Sequence, residues 1–106
     1  MIVRNLITND IPSLKVTDTV QYALLMMDDF GVRNLPIVED KKLLGYALYN
    51  PLESMGPDLT LQELEYGEKA VAIDSNFSVI EALQVLSNNR FDVLAATTDK
   101  EYVGLI

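Results

Sequence analysis

The sequence predicts a mixed α/β fold, of the α+β kind, in which two similar halves are related by pseudo-two-fold symmetry. An internal repeat is the main reason: when the chain is shifted by 59 residues, residues 12–47 align with residues 71–106 without a gap. Aligned positions keep their apolar character where the residues differ, as Leu14 and Ile73 do. In each half an apolar helical stripe precedes two short apolar strands. A repeat of this kind predicts paired clefts where the halves meet.

Length and composition are those of one globular domain. The 106 residues suit a single domain, and half of them are too few to bury a stable core alone, so we expect the halves to share one core. The net charge of -8, spread along the chain, disfavours binding to nucleic acid or to an anionic membrane surface. The absence of Cys and of a long apolar N-terminal segment favours a cytoplasmic protein.

The first half begins with a short apolar segment, residues 11–14, which Pro12 restricts to an edge strand. A helix is expected next, because Thr19 is a favourable N-cap and apolar residues follow it with helical spacing. The helix ends near Phe30, since Gly31 is a typical helix stop. The apolar stripe that faces the core consists of Val20, Ala23, Leu24 and Met27.

The second half repeats this order. Residues 71–73 predict the short strand, and Ser78 with Glu81 forms a capping box that starts the second helix. The corresponding apolar stripe consists of Val79, Ala82, Leu83 and Leu86. The helix in each half therefore presents one apolar face to the shared core.

Each half continues with a predicted hairpin. In the first half, residues 35–38 and residues 43–49 are apolar runs joined by a polar turn at residues 39–42. In the second half, residues 93–97 and residues 102–106 form the matching pair. The alternation of one helix with one hairpin in each half completes the predicted α+β pattern.

The sequence of the connection between the halves predicts two short helices. Asn50 is a favourable N-cap and Pro51 suits the first helical position, so we expect a helix of about one turn. Gly56 and Pro57 end this helix. Residues 61–66 predict the second short helix.

This order of elements, with these residues, resembles a tandem pair of cystathionine-β-synthase (CBS) domains, also called a Bateman module. The resemblance extends from about Leu6 to Ile106. In the first half it rests on Thr19-Val20-x-x-Ala23-Leu24, residues 31–38 and residues 43–47. In the second half it rests on Ser78-Val79-x-Glu81-Ala82-Leu83, residues 91–94 and residues 99–106.

The resemblance implies a fold and its division. Each half would be a β-α-β-β-α unit, and the two units would pack through their sheets. The single module, residues 1–106, divides into a first repeat at residues 6–56 and a second at residues 61–106. The second repeat stops at Ile106 without a counterpart of the segment that follows Ala47. We therefore expect the second repeat to be incomplete and the natural protein to continue.

The resemblance also implies a regulatory function. CBS pairs usually act as regulatory modules that modulate an attached domain or a partner protein, and they often bind an adenine-containing ligand, such as AMP, ATP or S-adenosylmethionine, in clefts between the repeats. They commonly form dimers. The alternative is a structural or dimerisation module that binds no nucleotide. No catalytic group is predicted, because the chain lacks His and shows no nucleophile beside a base. No metal site is predicted either.

By the same resemblance, an apolar slot for the base lies in each half. The first slot is formed by Ile11, Pro12 and Ser13 with Leu35, Pro36 and Ile37. The second is formed by Ala70, Val71 and Ala72 with Leu94, Ala95 and Ala96. The other interpretation of these residues is that they belong to the core, and their sequence alone does not separate the two.

The polar part of a nucleotide site is altered in this chain. The family holds ribose and phosphate with a Thr or Ser three residues after the hairpin Gly and an Asp six residues after it. Counted from Gly45, these positions are Leu48 and Pro51, which offer neither group. Arg33 and Arg90 precede the central strands and are the candidates to contact an anion, or else are exposed side chains near acidic neighbours.

A dimer surface is expected on the first helix. Tyr22 and Leu25 lie outside its core-facing stripe, and a fully solvated helix face rarely carries two such residues. The alternative is that the connection between the halves partly covers them. A homodimer through helix faces is therefore the predicted partner interaction, with no nucleic acid and no membrane.

Overall fold

The computed structural model describes residues 1–64 and 70–106, and it contains three α-helices and five strands in that part of the chain. In chain order they are α1 (Val20–Phe30), β1 (Asn34–Glu39), β2 (Lys42–Leu48), α2 (Tyr49–Glu53), β3 (Ala72–Asp74), α3 (Val79–Asn89), β4 (Ala95–Thr98) and β5 (Glu101–Leu105). Strands β1 and β2 form an antiparallel pair, and β3, β4 and β5 form a second sheet in that order. The predicted α+β repeat is confirmed.

Local signals in the sequence set the ends of the first helix and both hairpins. The Thr19 hydroxyl accepts a hydrogen bond from the Tyr22 N–H at 3.1 Å, and Gly31 ends α1 with φ of 67°. In the first hairpin Asp40 and Lys41 have φ of 50° and 65°, as a two-residue turn of positive φ requires. Asp99 and Lys100 repeat this turn. The alignment of the two halves therefore extends to the backbone conformation of the turns.

The predicted first strand at residues 11–14 is wrong, because only Leu14 pairs with β1, in a single parallel bridge opposite Ile37. The Leu14 N–H donates to the Pro36 carbonyl at 2.8 Å, and the Leu14 carbonyl accepts from the Val38 N–H at 2.9 Å. The next two bonds of such a ladder would need the N–H groups of Pro12 and Pro36, which do not exist. The two prolines thus end the pairing on the N-terminal side of Leu14.

The second half retains this parallel ladder, with Ala72, Ile73 and Asp74 paired to β4. Its helix α3 begins at Ser78, whose hydroxyl accepts from the Glu81 N–H at 3.2 Å. The Ser78 hydroxyl donates to the Glu81 carboxylate, also at 3.2 Å, so among the described residues this carboxylate does not bind the Ser78 backbone N–H and the predicted capping box is only half formed. The predicted start of the second helix is therefore confirmed.

The predicted apolar stripe of α3 is only partly buried, in contrast to that of α1. Ala82 is buried, but Leu83 is 58% exposed and the prediction for it is wrong. In the first half α2 contacts α1, whereas no helix among the described residues covers α3 in the same way. The face of α3 that carries Leu83 is therefore exposed because no described helix packs against it.

The first helix of the connection begins two residues earlier than predicted. Helix α2 begins at Tyr49, so Leu48 is its N-cap and Asn50 lies inside the helix. The Tyr49 N–H donates to the Arg33 carbonyl at 2.9 Å, which keeps the chain paired to the end of β2. The second predicted helix is a 3₁₀ turn at Leu61–Glu63, capped by Thr60. Its predicted last two residues lie outside the described residues.

The segments that precede the two halves, residues 1–4 and residues 59–62, each bind to the opposite half. The Leu59 carbonyl accepts from the Val20 N–H at 2.8 Å, and the Met1 carbonyl accepts from the Val79 N–H at 3.1 Å. Each segment thus caps the helix of the half to which it does not lead. Residues 1–4, which contact the second half, lie before the predicted start of the first repeat at residue 6.

One hydrophobic core contains residues from both halves, as the length of the chain predicts. Its most buried members include Leu14, Val20, Met27, Leu35, Ile37, Tyr46, Leu94, Ala95, Ala96 and Leu105. Segment 7–9 lies against β5 so closely that a Cβ atom on Gly104, which has φ of 150°, would lie 2.5 Å from an Ile7 methyl group. No helix in the described part of the chain has the length and apolar composition to cross a membrane.

Candidate functional site

Equivalent positions of the two repeats contact each other at the pseudo-two-fold axis. Residues 33 and 92 are related by the repeat, and the Arg33 N–H donates to an Asp92 carboxylate oxygen at 2.8 Å. Asn34, which is 2% exposed, uses its whole amide across the axis. Its Nδ2 donates to the Val93 carbonyl at 2.9 Å, and its Oδ1 accepts from the N–H groups of Asp92 and Val93 at 2.8 and 3.2 Å. We call these contacts of Arg33, Asn34, Asp92 and Val93 the axis clasp.

A cleft of about 360 Å³, here the axis cleft, lies beside the axis clasp. It is lined by Arg33, Asn34, Leu48, Asn50, Asn89, Arg90 and Phe91. The structure therefore brings the two arginines singled out in the sequence to one cavity, with side-chain amides beside them. In this acidic chain such a cleft is a local concentration of hydrogen-bond donors, which suits an anion.

The backbone around both arginines is fixed by its hydrogen bonds. Arg90 ends α3 in the left-handed conformation, with φ of 56° and ψ of 41°, at the position equivalent to Gly31. Arg33 is held through its N–H to Asp92 and through its carbonyl, which accepts from Tyr49. Within residues 1–64 and 70–106 neither guanidinium forms an ion pair; the pair found there joins Lys41 and Glu101 at 4.0 Å. The two guanidinium groups are therefore available to a ligand.

A second cleft of about 310 Å³, here the outer cleft, lies at the end of α1. It is lined by Met27, Asp28, Gly31, Val32, Arg33, Tyr49 and Asn50, so it shares Arg33 and Asn50 with the axis cleft. The Asp28 carboxylate beside the Tyr49 hydroxyl raises the pKa of that phenol above its ordinary value. The outer cleft thus combines a hydrogen-bond acceptor, Asp28, with the guanidinium donor of Arg33.

The residues predicted to form the base slots lie in or beside the core. Leu35, Pro36, Ile37, Leu94, Ala95 and Ala96 are buried, Ile11, Pro12, Ser13, Val71 and Ala72 are half-buried, and Ala70 is exposed. None of them lines the axis cleft or the outer cleft. Their binding of a ligand stays a prediction. Of the two altered positions of the family site, Leu48 lines the axis cleft and Pro51 does not.

A tyrosine of the first half occupies the second predicted slot. The Tyr46 hydroxyl accepts a hydrogen bond from the Ala95 N–H at 3.0 Å and donates to the Val71 carbonyl. It thereby replaces the direct backbone bond that would extend the β3–β4 ladder by one pair. The ring of Tyr46 lies 4.5 Å from that of Phe91, at 47°. The backbone groups that could read the edge of a base here are already paired.

Sequence reasoning did not identify Asn34 or Tyr46. A signal was present, because the repeat aligns Asn34 with Val93 and Tyr46 with Leu105. A polar group on one side of such a pair, at a position that is apolar on the other, must find a partner when buried. In both cases that partner lies in the opposite half.

Metal binding receives no support from side-chain geometry. In the part of the chain that the structure describes, no three Asp or Glu side chains are grouped so that they can hold an ion. The chain contains neither His nor Cys, which removes the ligands that zinc prefers.

Comparison with known proteins identifies the fold. The family model for the CBS domain matches residues 3–47. A CBS domain pair/ACT domain protein from Thermotoga maritima superimposes with a TM-score of 0.88 at 15% identity, covering 100% of this chain and 88% of that one. The CBS domains of a transcriptional regulator from Streptococcus pneumoniae give 0.85 at 14% identity, covering 100% and 92%. Those of a bacterial CNNM/CorC family Mg²⁺ transporter give 0.74 at 15% identity, covering 100% and 69%.

The protein is therefore of the class built from two pseudo-symmetric α+β repeats. The CBS family model matches within the first half of the chain, and the whole chain has the fold of a tandem CBS pair, as the resemblance predicted. CBS pairs are commonly regulatory rather than catalytic, and two of the similar structures come from a transcriptional regulator and a transporter.

Proposed function

We propose that this protein is a regulatory CBS pair that binds a small anionic ligand in the axis cleft. The observation that carries the proposal is the presence of Arg33 and Arg90, one from each repeat, on the same cavity. An adenine nucleotide (AMP or ATP) or S-adenosylmethionine is the first ligand class to test. Binding would modulate an attached domain or a partner protein in the cytoplasm.

The axis cleft has the size and chemistry for such a ligand. Its volume of about 360 Å³ falls within the range of small-molecule sites, about 300–1,000 Å³. Guanidinium groups bind phosphate or carboxylate oxygens through paired N–H donors, and the amides of Asn50 and Asn89 add further donors. Leu48 and Phe91 supply apolar surface.

The position of the cleft supports a regulatory role. A ligand that contacts Arg33 and Arg90 joins the end of α1 to the end of α3 across the axis clasp. It would favour whichever relative arrangement of the repeats brings both guanidinium groups to it, by its differential affinity for that arrangement. A covalently attached domain or a bound partner can respond to such a shift.

Thermal unfolding with AMP, ATP, S-adenosylmethionine and NADH tests the proposal. A ligand at 100 times its dissociation constant stabilises the folded state by about 2.7 kcal/mol, which raises the unfolding temperature measurably. We expect at least one of the four to produce this shift. No shift for any of them at millimolar concentration would contradict binding of these ligands.

Two arginine variants and one matched control connect the shift to the cleft. Arg33→Met and Arg90→Gly each remove a guanidinium, and we expect each to weaken binding about tenfold or more, since hydrogen bonds to charged groups contribute about 1.5–3 kcal/mol. Arg90→Gly also relieves the left-handed conformation at the end of α3, so its loss of binding cannot come from a weaker fold. Arg4→Met, at an exposed position outside both clefts, should bind normally.

A dimerisation module is the second candidate, and exposed apolar helix faces favour it. Ile80 is 70% exposed and Leu83 58% exposed on α3, while Tyr22 and Leu25 are exposed on α1. Because each chain has a net charge of -8, association through these faces must be hydrophobic, and added salt should not weaken it.

Light scattering after size exclusion measures this association. We expect a dimer without added ligand, and we expect Ile80→Glu to dissociate it. Gln84→Glu, an equal charge change at an exposed polar position of α3, is the control and should leave the dimer intact. A wild-type monomer at high protein concentration would reject this candidate.

A further inference from the structure

We infer that Asp28 and Tyr49 extend the anion site into the outer cleft and select a ligand that carries hydroxyl groups beside its anionic group, as a sugar phosphate does. The inference rests on the proposed function, because the anionic group would lie at Arg33 and Arg90. In the family an Asp at the position of Pro51 contacts the ligand, and Pro51 has no side-chain acceptor. The inference assigns to Asp28 the role of accepting hydrogen bonds from the ligand hydroxyls.

The two clefts meet at shared side chains. Arg33 and Asn50 line both the axis cleft and the outer cleft, so the two cavities lie on either side of these residues. A ligand whose anionic group lies at Arg33 can therefore present its hydroxyl groups to the outer cleft. Each cavity has a volume near 300 Å³, about 310 and 360 Å³ respectively, so neither needs to open to receive part of a sugar phosphate.

The chemistry of the outer cleft favours hydroxyl groups over a second anion. An ionised carboxylate only accepts hydrogen bonds, so Asp28 repels an anion and binds hydroxyl donors. Arg33 lines the same cleft, yet within residues 1–64 and 70–106 no ion pair joins it to Asp28. The Asp28 carboxylate is therefore not neutralised by that guanidinium and remains available as an acceptor.

Tyr49 supports the same assignment. The Asp28 carboxylate holds the proton of the neighbouring Tyr49 hydroxyl through a hydrogen bond and so raises the pKa of that phenol. Its oxygen can accept a hydrogen bond at the same time. Asp28 and Tyr49 together thus offer acceptor oxygens to a pair of sugar hydroxyls.

The placement of Asp28 is unfavourable for the helix itself. Helix α1 ends with Asp28, Asp29 and Phe30 and has no basic residue in its last turn, although the helix dipole disfavours carboxylates there. The repeat aligns the two aspartates with Ser87 and Asn88, which are neutral. A local cost that only one repeat bears is consistent with a ligand contact in that repeat.

Titration calorimetry with two probes, ribose 5-phosphate and inorganic phosphate, tests the inference on the full chain. We expect ribose 5-phosphate to bind wild-type protein about tenfold more tightly than phosphate. Asp28→Asn should remove this preference, lowering the affinity for ribose 5-phosphate about tenfold without lowering that for phosphate. Tyr49→Phe should act in the same direction. Asp29→Asn is the matched control, because Asp29 does not line the cleft, and it should retain the preference.

The outcomes separate this inference from the proposed function. If phosphate binds and Arg33→Met weakens it, while wild-type protein shows no preference for ribose 5-phosphate, the hydroxyl subsite is rejected and the anion site stands. An equal loss for both probes in Asp28→Asn also rejects the subsite, since it indicates a general electrostatic effect. If neither probe binds, both the subsite and the anion site in the axis cleft are rejected.

Discussion

Replacement of Asn34 by alanine is expected to lower the free energy of unfolding by about 2–4 kcal/mol. The substitution removes three hydrogen bonds across the pseudo-two-fold axis and leaves the N–H and carbonyl of Val93 without their side-chain partner. These groups are buried between the halves, where water cannot replace the amide without opening the interface. Urea unfolding measures the loss.

A matched substitution tests whether the axis clasp is the cause. Asn88→Ala removes the same atoms at an exposed position of α3, and we expect a change within about 0.5 kcal/mol. A loss in Asn34→Ala no larger than that of the control would show that the clasp does not hold the repeats together. Because Asn34 also lines the axis cleft, ligand affinity should fall in this variant as the clasp loosens.

The substitution Tyr46→Phe is expected to cost about 1–3 kcal/mol of unfolding free energy. It keeps the ring against Phe91 but leaves the Ala95 N–H and the Val71 carbonyl unpaired where the hydroxyl had joined them. Tyr102→Phe is the matched control, since no hydrogen bond of the Tyr102 hydroxyl is found in the described part of the chain. Equal effects of the two substitutions would contradict a specific role for the Tyr46 hydroxyl.

The pH dependence of stability gives an independent measurement. Burial raises the pKa of Tyr46 from 10.0 to about 12, partly opposed by the hydrogen bond from Ala95 and reinforced slightly by Tyr102. Because the folded state holds the phenolic proton more tightly, its stabilisation is complete below pH 10 and is lost as the pH rises towards 12. Burial raises the pKa of Tyr102 to about 12 as well. Each Tyr→Phe variant should therefore lose stability less steeply over this range than wild type.

Elements whose ends are marked by residues within the element or beside it were predictable from the sequence. Thr19 and Gly31 define α1, Ser78 begins α3, and each hairpin turn is a short polar segment between apolar runs. In these places the signal and the structure it specifies lie within a few residues of each other. The repeat then provided a second copy of the N-cap and turn signals, although Arg90 replaces Gly31 at the end of α3.

Features that depend on contacts between distant residues were not predictable. The loss of the strand at residues 11–14 requires both Pro12 and Pro36, which oppose each other only once the register of Leu14 with Ile37 is known. The exposure of Leu83 depends on which helix lies beside α3. A periodic pattern indicates a face that can be buried, but the neighbour that buries it is a property of the whole fold.

Some residues of the candidate site could be identified from the sequence and others could not. Arg33 and Arg90 were identified from their positions before the central strands, and the structure places both on one cleft. Asn34 and Tyr46 were missed, because each acts on a partner in the opposite repeat. A cleft between two repeats is made of such pairs, so its shape follows from how the repeats meet rather than from either one.

The binding of each preceding segment to the opposite half has a consequence for how the chain folds. Residues 1–4 bond to residues 75–79, so the contacts that hold the N-terminus span most of the described chain. Contacts of such long sequence separation raise the relative contact order and slow folding, because a large loop must close before they form. During synthesis the first segment must wait for its docking surface until α3 has left the ribosome. The hydrogen bonds of the first residues made therefore cannot form until most of the given chain has been synthesised.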